Sequence, residues 1–239
     1  MKHYRSYAKA NFYLKINDYS EQIKKHKLTS KLVLIDQYYD DIYLTKANTT
    51  QIKYENANQE ILNFQDDILL RTKHFLESKL NQEFNFNAKV IKRIPTLAGL
   101  GSGSSNAAIL IKWIYQEYKI NNQISYYEIA TELGSDIPFF LSGYDCAIIK
   151  NFGDQIIASD ISGYKFASFV FNKQKPSTKE IFRLLDHTKI NVNDINDLEK
   201  PFFKLFPELY ESFIKLKKPN NHVLLSGAGS SFVIFEKLN

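Results

Sequence analysis

The stretch PTLAGLGSGSSN, residues 95–106, decides how this sequence is understood. A glycine- and serine-rich run is typical of a flexible linker, and it is also typical of a loop that binds phosphate. The flanks separate these cases: residues 88–94 alternate apolar and basic side chains as a half-buried strand does, and residues 107–118 have helical apolar spacing. A strand, a glycine-rich turn and a helix aim backbone N–H groups and a positive helix end at an anion. The segment therefore predicts a phosphate site, with an ordinary capped helix after a turn as the alternative.

The spacing of the loop excludes two well-known nucleotide motifs. Gly-Lys-Ser/Thr does not close it, so it is not a Walker A loop. Gly99, Gly101 and Gly103 alternate strictly, which differs from the dinucleotide pattern G-x-G-x-x-G. Ser104 and Ser105 can either cap the following helix, which is expected to start near Ser105, or donate their hydroxyls to a phosphate.

Strand-like and helix-like segments are mixed along the 239 residues without strict alternation, which predicts an α+β protein. The residues between them at 48–60 and 187–200 are rich in Asn and Lys and are expected to be surface connections. Turn residues gather near 151–163, which predicts a boundary between residues 1–155 and 156–239. Strands are predicted at 6–16, 31–35, 41–46, 88–94, 144–150, 155–158, 165–172 and 222–235, and helices at about 61–80, 105–119, 125–133, 178–186 and 202–216.

Composition and charge exclude several classes of protein. The net charge is +5, yet Lys and Arg are scattered with no run longer than two, which argues against a nucleic-acid partner. A single cysteine, Cys146, rules out an internal disulfide and a cysteine-rich metal site. The charged N-terminus lacks a signal-peptide core and no apolar run approaches the length of a membrane span, so we expect a cytoplasmic protein without a membrane partner.

Two further segments carry polar residues that could perform chemistry. SYAKANFYLKI (6–16) has period two, which places Lys9 and Asn11 on one face of a strand, either as a wet outer face or as a platform for a polar substrate. ELGSDIPFFLSG (132–143) places Asp136 before Ile137-Pro138, as a helix cap or as a rigidly held base.

A second small-residue loop lies near the end of the sequence, in VLLSGAGSSFVIF (223–235). Two apolar strands around a tight turn would form a hairpin in most proteins. Gly227, Gly229 and Ser230 also make this turn a second candidate for a loop that faces an anion.

In this order the four segments resemble the superfamily of galactokinase, homoserine kinase, mevalonate kinase and phosphomevalonate kinase. The similarity is greatest to the kinases of 4-diphosphocytidyl-2-C-methyl-D-erythritol, whose AKINLFLKI, IPxxAGLGGGSSDAA, LGADVPFFL and SGSGS correspond to AKANFYLKI, IPTLAGLGSGSSNAA, LGSDIPFFLSG and SGAGSS here. The likeness runs from residue 7 to about 235. It implies a two-domain α+β small-molecule kinase with its active site in a cleft between an N-terminal ATP-binding domain (1–155) and a ferredoxin-like C-terminal domain (156–239).

The resemblance also implies the reaction and its residues. ATP and Mg²⁺ are the expected cofactors, although no acidic cluster marks metal ligands, and the substrate is a cytidine diphosphate methylerythritol phosphorylated on its 2-hydroxyl. Asp136 is implied to be the base and Lys9 its charged partner. Pro95, Ala98, Gly99, Leu100, Gly101, Ser102, Gly103, Ser104, Ser105 and Asn106 are implied to bind nucleotide. Segments KHKLTSKLVLID (25–36) and KPSTKEIF (175–182) match the family's substrate motifs, so the implied substrate contacts are Asn11, Lys25, His26 and Phe182.

The sequence departs from the family pattern at four of these positions. Lys25 replaces a tyrosine that stacks on cytosine, Ser102 replaces a glycine, and Asn106 replaces an aspartate. Asp67 stands where many members have an asparagine near the adenine. A related kinase of another small alcohol, or a non-catalytic nucleotide-binding relative, is the alternative function; a monomer or homodimer is expected.

Overall fold

The computed structural model describes residues 1–121, 123–172, 178–185 and 193–238. Its strands are β1 (Lys2–Ser20), β2 (Lys25–Lys46), β3 (Gln51–Asn56), β4 (Ile61–Leu62), β5 (Phe86–Lys92), β6 (Cys146–Asn151), β7 (Gln155–Ala158), β8 (Tyr164–Phe171), β9 (Asn221–Leu225) and β10 (Ser231–Lys237). Its helices are α1 (Ile68–Leu80), α2 (Ser102–Glu117), α3 (Tyr126–Glu128), which continues as a π-helical turn (Ile129–Leu133), α4 (Ile137–Ser142), α5 (Thr178–Arg183), α6 (Glu199–Leu205) and α7 (Glu208–Leu216). The predicted α+β class is confirmed.

A long antiparallel hairpin of β1 and β2 organises the larger sheet, whose order is β4-β3-β5-β2-β6-β7 with β1 on β2. The register of β1 shifts after Tyr7 and again after Asn11. Such irregularities re-aim side chains, and between them Lys9 and Asn11 are each only 2% exposed. The alternative of a wet outer face for these two residues is therefore excluded.

Helices α1, α2 and α4 pack around one face of this sheet. Trp113 of α2 is 1% exposed and packs edge-on against Phe86 of β5. Leu69 and Leu76 of α1 and Ile137 of α4 join the same buried apolar cluster. This core fixes the starts of α2 and α4, which carry the candidate chemistry.

The second sheet has the order β8-β10-β9 and packs against α6 and α7. Phe202, Phe213 and Phe232 form its interior. Leu14 and Ile16 of β1 belong to the same cluster, so the first strand of the chain contributes to both halves of the molecule. The division at residue 155 stays a prediction.

Several element boundaries differ from those predicted. Residues 51–56, expected to be a surface connection, form β3, which pairs parallel with β5 through a mostly polar sequence. The helix predicted at 61–80 begins at Ile68, because the Asp67 carboxylate accepts hydrogen bonds from Leu69 N and Leu70 N. The helix predicted at 202–216 is two helices that part at Pro207. In the part of the chain that is described, no helix combines the length and apolar character needed to cross a membrane.

Candidate active site

A cavity of about 760 Å³ lies where the four sequence segments converge. Its walls are formed by Lys9 and Asn11 of β1, the glycine loop, residues 133–136, and the second small-residue loop at Gly227 and Ala228. Every loop residue expected to bind nucleotide lines it except Ser105, which is 3% exposed and buried in the first turn of α2. The structure therefore brings the separate motifs into one site.

Lys9 is a buried charged group in this wall with several polar partners. Its Nζ donates to Asn11 Oδ1 at 2.8 Å and to Gly99 O at 3.0 Å. Asp136 Oδ2 lies 3.1 Å from the same nitrogen. The ammonium group thus has two hydrogen-bond acceptors and an opposite charge beside it, which is the condition for keeping a charge in a position only 2% exposed.

Asp136 occupies the N-cap position of α4, but among the described contacts its carboxylate makes no capping hydrogen bond. The side chain is instead paired with Lys9 and remains 29% exposed, on the wall of the cavity. The helix start is provided by the backbone, with Pro138 in the first turn and Ile137 N donating to Gly134 O at 3.2 Å. The geometry thus favours a carboxylate placed for chemistry over one that serves as a cap.

Asn11 holds Lys9 in place through a chain of hydrogen bonds. Its Nδ2 donates to Ser30 Oγ at 2.8 Å, and Ser30 Oγ donates to Tyr13 O at 2.6 Å. The amide orientation is therefore fixed with its oxygen toward Lys9. Asn11 also lines the cavity, and its expected contact with substrate stays a prediction.

The glycine loop enters α2 earlier than predicted. The helix begins at Ser102 and not near Ser105, because Gly101 takes the N-cap position with a left-handed φ of 73°. A side chain at Gly101 would place its Cβ 2.8 Å from Lys9 Cγ. Glycine is therefore needed there both for the left-handed backbone and for the close approach of Lys9. Among the described contacts, no side chain caps this helix. The N–H groups of its first turn, which directly follow Gly101, have no acceptor within the helix. Ser104 lies in this turn and lines the cavity.

The two small-residue loops are in direct contact. Ser226 Oγ donates to Gly99 O at 2.9 Å, and Ser231 N donates to Ala98 O at 3.1 Å. Gly99 has a φ of 76°, and a Cβ on it would lie 2.1 Å from Ser226 O. Backbone therefore packs on backbone, and the second loop supports the first.

The predicted residues of the second loop are placed differently from one another. Gly227 lines the cavity. Gly229 packs against the Phe202 ring, where an added Cβ would lie 2.7 Å from Cε2. Ser230 is buried and its hydroxyl donates to Asn172 O, on the far side of the loop. Of these three residues, only Gly227 lines the cavity.

Asn196 holds the second loop and has no counterpart in the sequence predictions. Its Nδ2 donates to Leu225 O at 2.7 Å and to Gly227 O at 2.8 Å, and its Oδ1 accepts from Leu198 N at 2.9 Å. It is 1% exposed, inside a segment that looked like a polar surface connection. Leu14 N donates to Ile195 O at 2.9 Å, which ties this segment to β1.

At one end of the cavity the two residues expected to hold a cytidine meet. The His26 and Phe182 rings are stacked with centroids 4.8 Å apart and an interplanar angle of 26°. Tyr19 packs edge-on against His26 at 4.9 Å. Phe182 lines the cavity and comes from a part of the chain far from His26, so this pairing supports the alignment of both segments.

Lys25, the fourth expected substrate contact, points elsewhere. Its Nζ donates to Thr131 O at 2.6 Å, in the middle of the π-helical turn. Burial lowers the pKa of Lys25, and the neighbouring positive charge of Arg71 lowers it further. Where the family has a stacking ring, this chain has a cation that ties the β1–β2 hairpin to the other wall.

The cavity is also lined by residues of β3, of α1 and of the segment before α1. Tyr54 OH donates to Asp67 Oδ1 at 2.5 Å, while the same oxygen accepts from Leu69 N at 2.8 Å. Burial, followed by the bond to this carboxylate, raises the pKa of Tyr54, so its hydroxyl stays a donor. Phe64 and Arg71 belong to the same lining. Apart from Asp67, none of these residues carried a signal in the sequence.

Comparisons with known proteins agree with this geometry. Residues 67–144, which include the glycine loop and Asp136, match the model of the GHMP kinases N terminal domain. The fold is similar to a crystal structure of 4-(cytidine 5'-diphospho)-2C-methyl-D-erythritol kinase, with a TM-score of 0.75, 23% identity and 100% of this chain and 90% of that chain covered. It is also similar to phosphomevalonate kinase from Streptococcus pneumoniae, with a TM-score of 0.65, 11% identity, and 100% and 93% of the two chains covered. Fold and cleft together define a small-molecule kinase of the GHMP class.

Sequence similarity narrows this class. The chain is 31% identical over 252 residues to 4-diphosphocytidyl-2-C-methyl-D-erythritol kinase from Ureaplasma parvum, covering 96% of this chain and 93% of that protein. It is 32% identical to the enzyme of the same name from Thermosipho melanesiensis, with 95% and 88% covered. The chain belongs to the 4-diphosphocytidyl-2-C-methyl-D-erythritol kinase family and is an ATP-dependent kinase. The resemblance drawn from the four motifs is confirmed.

Proposed function

We propose that this chain transfers the γ-phosphoryl group of ATP to the 2-hydroxyl of 4-diphosphocytidyl-2-C-methyl-D-erythritol, giving the 2-phosphate and ADP for isoprenoid precursor synthesis by the non-mevalonate route. The observation that carries the proposal is the Lys9–Asp136 pair, 3.1 Å apart, on the wall of a cavity that the phosphate loop also lines. The name of the relative at 31% identity supplies the substrate.

Asp136 is the acceptor for the proton of the attacking hydroxyl. As the hydroxyl oxygen forms its bond to the γ-phosphorus, the bond to the β-bridging oxygen breaks and the electron pair leaves with ADP. Lys9, fixed by Asn11 and Gly99, keeps a positive charge beside the carboxylate and the oxygen that gains charge. The positioned charges account for the catalysis, since phosphoryl transfer needs little covalent chemistry from the protein.

The glycine loop holds the nucleotide phosphates. The N–H groups of the first turn of α2 have no acceptor within the helix. The positive end of the dipole of this 16-residue helix lies at the same turn. His26 and Phe182 hold the cytidine end of the other substrate, together with Asn11. Since the two rings are stacked in this structure, a cytosine ring must either separate them or stack on an outer face.

Mg²⁺ fits the site as an ion carried by the nucleotide. Among the described residues, no group of three or more His, Cys, Asp and Glu side chains is placed to hold a metal. Mg²⁺ commonly uses one or two protein oxygens with phosphates and waters, and Ser104 and Asp136, which both line the cavity, would supply such oxygens. When bound, the ion neutralises charge on the transferring phosphates. A cytoplasmic location and a monomeric or homodimeric state remain predictions.

An assay of ADP release tests the proposal. Purified protein is given ATP and Mg²⁺ with 4-diphosphocytidyl-2-C-methyl-D-erythritol, mevalonate or homoserine, each in a separate reaction. We expect turnover with the first substrate only. Asp136→Asn should lower kcat at least 100-fold, because the amide keeps the shape of the carboxylate but cannot accept the proton.

The matched control is Asp18→Asn, which removes an exposed carboxylate that accepts from Tyr19 N at 2.8 Å and lies 3.5 Å from Lys27 Nζ. It should leave kcat within about two-fold of wild type, since exposed ion pairs contribute little. Turnover of mevalonate or homoserine in place of the cytidine substrate would replace the substrate assignment. Full activity of Asp136→Asn would remove the base from the mechanism.

A further inference from the structure

A buried polar network lies directly behind the phosphate loop. Lys92 Nζ donates to Asp40 Oδ2 and to Ser102 Oγ, and Ser102 Oγ donates to Asp40 Oδ2 at 2.8 Å. The second Asp40 oxygen accepts from Arg93 N at 2.8 Å and Ile94 N at 2.9 Å. Asp40 is 0% exposed and Lys92 8% exposed, so the pair is an internal support of the strand that leads into the loop.

Asn106, one turn further along α2, completes the network. With its amide nitrogen toward the helix, it donates to Ser102 O at 3.1 Å and to Ser6 Oγ at 2.8 Å, while its oxygen accepts from Lys92 Nζ at 3.2 Å. Lys92 then has three acceptors for its three donors. Ser102 and Asn106, the two loop positions at which this chain departs from the family motif, therefore both bond the same lysine.

This arrangement fixes the first helical residue of α2 from two sides. The Ser102 hydroxyl is bonded to the Asp40–Lys92 pair, and its carbonyl accepts from Asn106. Burial lowers the pKa of Lys92, whereas the bond to Asp40 opposes that change, so the ammonium depends on its acceptors. Loss of one acceptor leaves a buried donor unsatisfied, which the structure relieves by shifting the residues that can move.

We propose that Ser102 and Asn106 are positioning residues for the donor nucleotide, which hold the first turn of α2 on the Lys92–Asp40 pair so that its N–H groups face the phosphates before ATP arrives. The proposal rests on the function proposed above, because it takes a nucleoside polyphosphate as the ligand. These N–H groups contact the nucleotide before and during transfer. Loosening them therefore raises Kd for ADP and KM for ATP and leaves kcat nearly unchanged.

The test compares Ser102→Gly, Ser102→Ala and Ser102→Thr with wild type, by calorimetric titration of ADP and by KM and kcat for ATP. We expect Gly and Ala to raise Kd and KM roughly 5- to 10-fold, the loss of about one hydrogen bond to a charged group, with kcat within two-fold. Thr keeps the hydroxyl and should stay within about three-fold of wild type. Ser142→Ala is the matched control, since its hydroxyl donates to Phe139 O outside the cavity.

Ser102→Gly gives the sharpest outcome, because it restores the residue of the family motif. If it binds ADP as tightly as wild type, or lowers kcat alone, or if Thr is as weak as Ala, the proposal fails. Should the Ser102 variants not fold, Asn106→Asp decides: it keeps an acceptor for Lys92 but loses the donor to Ser102 O. Weaker ADP binding by this variant supports the proposal, and unchanged binding contradicts it. A wild type that neither binds ADP nor releases it from ATP overturns the proposed function itself.

Discussion

Lys9 combines a structural role with the chemical role proposed for it. Lys9 is 2% exposed, and its charge would be costly without partners. Two hydrogen-bond acceptors, in β1 and the glycine loop, and the Asp136 carboxylate at the start of α4 supply them. The same bonds that stabilise the charge also fix Asp136 against the phosphate loop. Removal of the ammonium group therefore affects both the site and the packing around it.

We expect Lys9→Met to lower kcat about 100- to 1,000-fold, because a fixed charge next to the reacting oxygen is lost. The free energy of unfolding should fall by about 1 to 3 kcal/mol, since Asn11 Oδ1 and Gly99 O lose their donor. Steady-state kinetics and urea unfolding measure the two effects. Lys27→Met, at a lysine whose side chain is 41% exposed, is the control and should change neither. A folded Lys9→Met enzyme with normal kcat would contradict the proposed role.

Glu199 gives the protein a pH dependence of stability. Its carboxylate accepts from Leu225 N at 3.0 Å, next to the second loop, and burial raises its pKa to about 7. The folded state therefore binds a proton that the unfolded chain, with a pKa of 4.5, has already released. The stabilisation is complete below pH 4.5 and is lost as the pH rises to about 7.

Glu199→Gln should remove this dependence while keeping an acceptor for Leu225 N. We expect the wild type to lose up to about 3 kcal/mol of unfolding free energy between pH 5 and 7.5 relative to the variant. His222 acts in the opposite direction, because burial lowers its pKa, but it is common to both proteins and cancels in the comparison. Urea unfolding at a series of pH values measures the difference, and parallel curves would show that Glu199 does not titrate in this range.

At the scale of elements, the contact between the two small-residue loops determines how the cleft is shaped. Gly99→Ala would place a Cβ only 2.1 Å from Ser226 O, and it would do so in a residue whose φ is 76°. Gly163 has nearly the same φ, 78°, with nothing of the described chain within 4 Å of an added Cβ. The two positions therefore share the conformational strain of alanine and differ only in the contact.

We expect both alanine variants to lose about 1 kcal/mol from strained backbone, and only Gly99→Ala to lose at least ten-fold in kcat/KM for ATP. ADP release and thermal unfolding, measured on both proteins, separate the two effects. If Gly163→Ala loses as much activity as Gly99→Ala, strain alone is responsible and the loop contact is unimportant.

Asn196 makes a second prediction at this scale. Asn196→Ala leaves Leu225 O and Gly227 O without their donor, in a position 1% exposed. We expect unfolding free energy to fall by about 2 to 4 kcal/mol and KM for ATP to rise, because Gly227 supports the cavity wall. Asn17→Ala, which removes an exposed amide bonded to Thr29 Oγ1, should change neither. An Asn196→Ala enzyme with unchanged stability would contradict the structural role.

Features that depend on local sequence patterns could be predicted, whereas features that depend on contacts between residues far apart in the sequence could not. The glycine loop, the Lys9–Asn11 strand and the Asp136 turn carry local patterns of spacing, and the structure unites them. Strand β3 was not predicted, because QIKYEN has only two apolar residues, Ile52 and Tyr54, and is ordered by pairing with β5. The same reason applies to Asn196, whose partners lie about 30 positions away in the chain.

At the scale of the whole molecule, two apolar clusters each contain residues from both sides of the predicted division at residue 155. Ala8 and Ala10 pack in one cluster with Leu224 and Val233. In another, Leu14 joins residues of α6, α7 and β10. Two parts that share cores in this way should stabilise each other, so the proposed domains are expected to behave as one folding unit.

We expect a single cooperative unfolding transition. Trp113, the only tryptophan, is 1% exposed and reports on the N-terminal core through its fluorescence. Amide hydrogen exchange of β9 and β10 at increasing denaturant reports on the C-terminal sheet. The two transitions should coincide in midpoint. Separate midpoints would show that residues 1–155 and 156–239 unfold independently in spite of their shared clusters.

The contacts of Gly99 with Ser226 have a consequence for the order in which the protein is synthesised. The strand with Lys9 leaves the ribosome well before the residues that support the glycine loop, at 196 and 226–231. The cleft can therefore be completed only when translation of these residues is finished. Nascent chains and termination products that end between residues 136 and 226 should contain both Lys9 and Asp136 and still be unable to use ATP.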